Sequence, residues 1–223
     1  MRLSIGIDGP VGAGKSSVAD AVAARLGILH LDTGAMYRAL GLMALRKGID
    51  PKDEQAIIAL CGEIRISVGH EKDGQHTFVN GMDVTNSIRT PEVSMAASTV
   101  SRYAPVRKAM VETQRKLATE TDMLLDGRDI CTTVLPNATA KIFLTAAPEE
   151  RARRRWVELR DKGGKESYEE VLRAVKERDE QDMNREVEPL RQAEDAVLVD
   201  STTLSFKQVV ETILRIVEEK RNG

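Results

Sequence analysis

The stretch that most constrains this chain is Gly9-Pro10-Val11-Gly12-Ala13-Gly14-Lys15-Ser16. It follows a short apolar run, Leu3 to Ile7, and opens into a run of helical spacing, Ser16 to Leu26. A strand that turns through glycines into a helix and carries Lys-Ser at the junction fits the phosphate-binding pattern G-x-x-x-x-G-K-[ST]. The glycines let the backbone curl so that its N–H groups point inward as an anion nest. The helix starting near Lys15 adds the positive end of its dipole. Lys15 is placed to reach the β- and γ-phosphates of a nucleoside triphosphate, and the Ser16 hydroxyl to hold Mg²⁺. The pattern also occurs by chance, but rarely between a strand and a helix. The expected triphosphate-binding set is Gly9, Pro10, Val11, Gly12, Ala13, Gly14, Lys15, Ser16 and the adjoining Ser17, together with Arg151.

The rest of the chain must supply a scaffold and a second reactant. Its 223 residues, 41% hydrophobic and 30% charged, suffice for one α/β domain with an insertion. A net charge of -2 and a pI near 6.0 argue against a general nucleic-acid or membrane surface. No run is apolar enough to span a membrane. No signal peptide is expected, because Arg2-Leu3-Ser4 runs straight into the first strand. Cys61 and Cys131 are far apart and suit a reducing cytoplasm. His30, His70 and His76 lack metal-ligand spacing and are expected at surface or boundary positions.

Strands and helices alternate along most of the chain. Val18, Ala19, Val22, Ala23 and Leu26 form a helical stripe that Gly27 ends. Ile28 to Leu31, Met123 to Asp126, Ala140 to Leu144 and Ala196 to Asp200 read as further strands. Helices are expected from Ala35 to about Lys47, Lys52 to Cys61, Pro91 on, Pro105 to Glu120 and Pro148 to about Lys162. Two more follow the capping signals Ser167-x-x-Glu170 and Ser205-x-x-Gln208. Between Glu63 and Val84 the texture changes: Ile64, Ile66 and Val68 alternate, and Asn80-Gly81 signals a tight hairpin. The expected architecture is three-layered α/β: a parallel central sheet with helices on both faces and a small antiparallel insertion at about 62–95.

A phosphate loop names only the donor side, and three arginine groups are candidates for the acceptor. Asp126-Gly127-Arg128-Asp129 directly follows an apolar strand, at the end where open α/β sheets bind ligands. Val171, Val175, Arg178, Asp182 and Arg185 share one helix face that changes from apolar to charged. An intrahelical ion-pair ladder, worth a few tenths of a kcal/mol per pair, is the plain alternative. Arg151, Arg154 and Arg155 share a face just before Gly163-Gly164, with Arg153 pointing elsewhere, and form a candidate lid at about 150–165. Arg38 and Arg107 add isolated charges. Arginine suits bidentate phosphate recognition.

At these residues the chain resembles the bacterial cytidylate kinase family over essentially its whole length. The resemblance rests on Ile7-Asp8-Gly9-Pro10, Leu31-Asp32-Thr33-Gly34-Ala35-Met36-Tyr37-Arg38 and Ile88-Arg89-Thr90-Pro91-Glu92-Val93. It extends through Asp126-Gly127-Arg128-Asp129, Arg178-Asp179 through Asp182 to Arg185, and Asp200-Ser201-Thr202. It implies a single P-loop kinase domain over 1–223, with a monophosphate-binding insertion and a helical lid. The implied reaction is phosphorylation of CMP and dCMP from ATP with Mg²⁺. By resemblance Arg38, Arg128 and Arg185 grip the acceptor phosphate, and Arg178 and Asp182 face the sugar. Ser98, Arg107 and Asp129 read the base, Thr33 and Tyr37 belong to the same site, and Arg151, Arg154 and Arg155 belong to the lid. Thr33 stands where the family often has Ser. Cys131 stands where it usually has a small residue, which makes the backbone there a local question.

The chemistry is compatible with these roles. Cytosine presents an N4 amine, which a carboxylate such as Asp129 accepts, whereas uracil presents an acceptor to the same carboxylate. Another monophosphate kinase, specific for UMP, AMP or dTMP, is the alternative within the class. A nucleotide-dependent switch explains the loop but not the second arginine cluster. Either Asp8 or Asp126 could support Mg²⁺ through water, and nothing in the sequence chooses. A monomer acting on small nucleotides is expected.

Overall fold

The structure, a computed structural model, describes residues 2–71, 74–161 and 163–222. In chain order the elements are β1 (Ser4–Asp8), α1 (Lys15–Leu26), β2 (Leu29–Asp32), α2 (Thr33–Arg46) and α3 (Glu54–Glu63). There follow β3 (Ile66–Glu71), β4 (Gly74–Val79), β5 (Met82–Asp83), α4 (Pro91–Val100) and α5 (Ala104–Glu120). The chain continues through β6 (Met123–Gly127), a π-type turn (Ile130–Val134), β7 (Ala140–Thr145) and α6 (Pro148–Asp161). It ends with α7 (Tyr168–Asn184), β8 (Val197–Asp200) and α8 (Phe206–Asn222). Two compact units result: Met1–Ile28 with Met123–Gly223, and Leu29–Asp122. Among the described residues no helix is long and apolar enough to cross a membrane.

In the first unit the strands run β6-β1-β7-β8, all parallel. The register pairs Asp8 with Gly127 on one side and with Phe143 on the other, so β1 and β6 reach their carboxyl ends together while β7 continues to Thr145. The two faces of β1 differ sharply. Ile5 and Ile7 are fully buried in a core with Val18, Val22, Ile213 and Val217, from α1 and α8. Gly6 and Asp8 point the other way, as the twofold strand period requires, toward the π-type turn. A Cβ on Gly6 would lie 2.7 Å from Cys131 Sγ. The unusual Cys131 is thus accommodated because the strand beneath it has no side chain.

The second unit contains the antiparallel sheet β3-β4-β5 expected from the change in texture. Asn80 and Gly81 both take positive φ, 51° and 81°, as a tight two-residue hairpin requires. The unit is larger than the 62–95 module alone. Met36 and Leu40 of α2 and Val106 and Met110 of α5 share a core with Ile57 and Leu60 of α3. Side chains also tie the sheet to β2: the Asp32 N–H donates to Gln75 Oε1 at 2.7 Å, and His70 Nε2 donates to the His30 carbonyl. His30 is itself buried, contrary to its expected surface or boundary position, because it sits inside strand β2.

The starts of α2, α3, α4, α7 and α8 carry side-chain caps, whereas those of α1 and α5 carry none. Asp32 accepts from Ala35 N at 3.1 Å, so the expected Asp32-Thr33-Gly34 turn is the cap and first turn of α2. Asp53 accepts from Ala56 N, so α3 starts at Glu54 rather than Lys52. Thr90, Ser167 and Ser205 cap their helices as expected. Lys162, the expected end of α6, lies outside the described residues.

Gly6→Ala should destabilise the fold by about 1–3 kcal/mol, the usual cost of overpacking. Cys131→Ala in the same chain should recover most of the loss, as read by urea denaturation of the single and double variants.

Candidate functional site

The phosphate loop leaves β1 at Gly9, whose φ is 152°, and a Cβ there would lie 1.9 Å from the Leu144 carbonyl oxygen. Only glycine permits that approach, which holds the loop against the end of β7. Lys15 Nζ donates to the carbonyls of Gly9 at 2.8 Å and Pro10 at 2.9 Å, arching back over the loop. Burial, reinforced by the nearby Arg128 charge, pushes the Lys15 ammonium down to about 7, against the pull of Asp126, Asp182 and Asp8. Lys15 therefore has Arg128 and Asp182 within electrostatic range.

The two aspartates that the sequence left equivalent have different surroundings. Asp8 Oδ1 accepts from Ile130 N at 2.8 Å and Oδ2 from Cys131 N at 2.7 Å. Burial raises the Asp8 carboxyl to about 6 despite those donors. Asp126 Oδ2 instead accepts from the Ser16 hydroxyl at 3.0 Å. A hydroxyl and a carboxylate side by side at the loop form an all-oxygen donor pair that fits a hard cation such as Mg²⁺.

The face of α7 continues from Val171 and Val175, both buried, into a polar cluster. Asp182 is 4% exposed and accepts from Arg178 Nε at 3.1 Å and from Arg128 Nε at 2.7 Å. The first contact is the intrahelical pair that spacing alone would give. The second comes from the end of β6, which only tertiary structure brings near. Burial on its own would raise the Asp182 carboxyl, but the two guanidinium groups hold it down at about 2. Arg185 lies just past the last turn of α7, and its Nη2 donates to Asp129 Oδ1 at 3.3 Å.

The arginines of α6 do not act as one face. Arg151 is buried, and its guanidinium donates twice to Asp179, at 3.0 and 2.7 Å. It also donates to the carbonyls of Val11 at 3.0 Å and Ala146 at 2.8 Å. It thus stands behind the phosphate loop as a brace, apart from Arg154 and Arg155. Arg154 reaches the end of β8, donating to the Ser201 carbonyl at 2.7 Å and its hydroxyl at 3.1 Å. Arg153, expected to point elsewhere, folds back on Glu150 and lines the same cavity as Arg154 and Arg155.

That cavity, of about 480 Å³, opens beside Gly12, Ala13 and Gly14. It is also lined by Ser201, Leu204 and Phe206, none of them among the sequence candidates. The signal was present in Asp200-Ser201-Thr202, but the motif carries no cation that would point to a phosphate site. Asp179 was missed for a different reason: its partner Arg151 is distant in the chain.

Three acceptor-side candidates of the second unit lie on or beside α2. Thr33 is buried in its first turn. Arg38 donates to Asp32 from Nη2, while Arg38 Nε is the one buried side-chain polar atom without a partner among the described residues. Tyr37 lies beneath the Arg107 guanidinium, 5.7 Å from its ring centre. Arg107 is 2% exposed and donates to the Ser101 carbonyl at 3.2 Å. Ser98 is buried on α4.

With this geometry in place, comparison with known proteins gives a consistent result. The family model described as cytidylate kinase matches residues 5–219. The chain belongs to the cytidylate kinase family. Cytidylate kinase of Halalkalibacterium halodurans is 49% identical over 98% of this chain and 99% of its own length. That of Caldicellulosiruptor bescii is 48% identical over 96% and 95%, and that of Bacillus subtilis 47% over 98% of both. Among solved structures, a protein from Eubacterium ventriosum superposes with a TM-score of 0.55 at 11% identity, covering 97% of this chain and 99% of its own. Shikimate kinase from Bacteroides thetaiotaomicron gives 0.50 at 12%, covering 99% of both. These likenesses show the fold, the P-loop kinase arrangement of a parallel sheet with helices, and the family members show the lineage.

Arg151→Met should cost about 3–5 kcal/mol of stability, because Asp179 would stay buried with no cation beside it. Arg155→Met, which removes only a half-exposed pair with Glu158, should change stability by less than about 1 kcal/mol. Chemical denaturation of the two variants gives the comparison.

Proposed function

We propose that this chain transfers the γ-phosphoryl group of ATP to CMP and dCMP, with Mg²⁺, as a cytidylate kinase. The observation that carries the reading is the cluster around Lys15. Loop, Ser16–Asp126 pair, Arg128 and Asp182 converge in one unit of a chain that belongs to this family. A switch protein needs the loop but has no use for Arg128, Arg178 and Asp182 beside it.

Lys15 and the loop N–H groups would hold the β- and γ-phosphates, with Arg154 and Arg155 of the 150–165 lid meeting them from the cavity side. Ser16 and Asp126 are the residues that would hold Mg²⁺, which when bound supplies further charge neutralisation on the phosphates. Arg38, Arg128 and Arg185 would grip the acceptor phosphate. The unpartnered Arg38 Nε is a donor ready for such an oxygen. Arg178 and Asp182 would face the sugar, and Ser98, Arg107 and Asp129 the base, with Thr33 and Tyr37 alongside. The nucleophile is a phosphate oxygen, so positioning and charge suffice and no strong base is needed. Asp182, held near 2, is suited to hydrogen bonding and not to proton abstraction. The reading places the chain in the cytoplasm as a monomer acting on nucleotides; its low aromatic content, 3%, offers few platforms for stacking nucleic-acid bases.

Initial rates with ATP, Mg²⁺ and each of CMP, dCMP, UMP, AMP and dTMP test the proposal directly. CMP and dCMP should be phosphorylated fastest, and a clear preference for AMP or dTMP would overturn it.

Lys15 near 7 in the free protein means it is mostly neutral at about pH 8, and triphosphate oxygens favour its charged form. Calorimetry at about pH 8 should therefore show proton uptake on ATP binding, and affinity should fall as pH rises above 7. Lys15→Met should abolish that uptake and lower turnover by several orders of magnitude.

Asp129→Ala should reduce the CMP-over-UMP rate ratio by roughly 5- to 100-fold, the effect of losing a buried hydrogen bond of about 1–3 kcal/mol. Competition assays with both substrates report the ratio.

A further inference from the structure

Asp8 occupies a place that the phosphate-loop chemistry does not use. It is the last residue of β1, directly before Gly9, and is 1% exposed. Its two carboxylate oxygens take one backbone N–H each, from Ile130 at 2.8 Å and Cys131 at 2.7 Å. Those amides are the first two of the π-type turn that follows Arg128 and Asp129. Within the turn, Asp129 O accepts from Thr133 N and Val134 N, and Ile130 O from Leu135 N, so the turn moves as one piece. Asp8 fastens that piece to the strand that carries the phosphate loop. Gly6, one strand period earlier, leaves the space into which Cys131 Sγ settles.

We propose that Asp8 is a positioning residue for the acceptor. Its carboxylate sets where the Arg128–Asp129 segment sits relative to the phosphate loop, and so the alignment of the acceptor against the phosphoryl donor. The inference rests on the kinase reading above for the identity of the acceptor.

The loop has anchors of its own. Gly9 abuts the Leu144 carbonyl, Lys15 bonds to Gly9 O and Pro10 O, and Arg151 bonds to Val11 O. Arg128 Nε donates to Asp182 and its Nη1 to the Gly127 carbonyl, and Asp129 Oδ1 accepts from Arg185; Asp182 and Arg185 belong to the same candidate acceptor set. Releasing Asp8 should therefore disturb the acceptor side and leave the donor side nearly intact. Both oxygens are needed, because two N–H groups point at them. An amide in the same place offers one acceptor and sets its own N–H against the second donor.

Asp8→Asn is the test, as it keeps the shape and removes a buried charge. Steady-state kinetics should show KM for CMP raised roughly tenfold and the CMP-over-UMP ratio lowered severalfold, with KM for ATP changed less than about twofold. A merely structural role would raise both KM values together, or neither. Amide hydrogen exchange on the unsubstituted protein provides a second measurement that does not depend on how the variant folds. The Ile130 and Cys131 amides should be protected, and CMP without ATP should slow them further. Equal changes in the two KM values, an unchanged CMP-over-UMP ratio, or exchange at Ile130 and Cys131 that CMP leaves unaltered would each overturn the inference. If the unsubstituted protein itself fails to phosphorylate CMP in the same assay, the kinase reading fails instead.

Discussion

The structure of the first unit depends on the parallel pairing of β1 with a neighbour on each side. That pairing satisfies the backbone of β1 on both edges and allows its apolar residues to be buried. It also fixes a register in which Asp8, Gly127 and Phe143 stand abreast. Everything chemical hangs from that line. The phosphate loop leaves one strand there, Arg128 and Asp129 leave the next, and α6 follows soon after the third. A shift of one residue in β1 would exchange Ile5 and Ile7 for Gly6 and Asp8 on the core face. It would bury a carboxylate among aliphatic side chains and break the site in the same move.

The electrostatics of the unit follow from crowding charges at this edge. Positive and negative groups alternate: Lys15, Asp126, Arg128, Asp182, Arg178. Burying any one of these charges without a partner would be costly. In company, Asp182 stays ionised well below its ordinary range, while burial, reinforced by Arg128, holds Lys15 down at about 7. Such an arrangement suits a site that must accept several phosphate charges and release them. The ammonium is poised to become fully charged only when the anion arrives. Arg151 and Asp179 serve differently: sealed from solvent and paired in bidentate fashion, they brace the loop from behind.

The arginines show where spacing along a helix informs and where it misleads. Arg151, Arg154 and Arg155 are equivalent by helical position, yet one is a buried brace and another reaches the end of β8. The difference is set by which neighbours the helix meets, Asp179 of α7 on one side and Ser201 on the other. On α7, by contrast, the apolar-to-charged change along one face did identify a polar cluster, because burial of Val171 and Val175 fixes the direction in which Asp182 points.

The sequence by itself determined the phosphate loop, nearly every strand and helix, and the antiparallel hairpin at Asn80-Gly81. These are local: glycine conformations, side-chain caps and periodic burial are decided within a few residues. The family was also legible, because its motifs are short and contiguous. Only the tertiary structure decided the different hydrogen-bond partners of Asp8 and Asp126, the space that accommodates Cys131, and the pairing of Asp179 with Arg151. Each of those facts is a contact between residues far apart in the chain, governed by strand register and by the space a neighbour leaves. No local pattern encodes such a contact. The π-type turn belongs with them, since it carries no periodicity of its own and takes its place from a carboxylate on another strand.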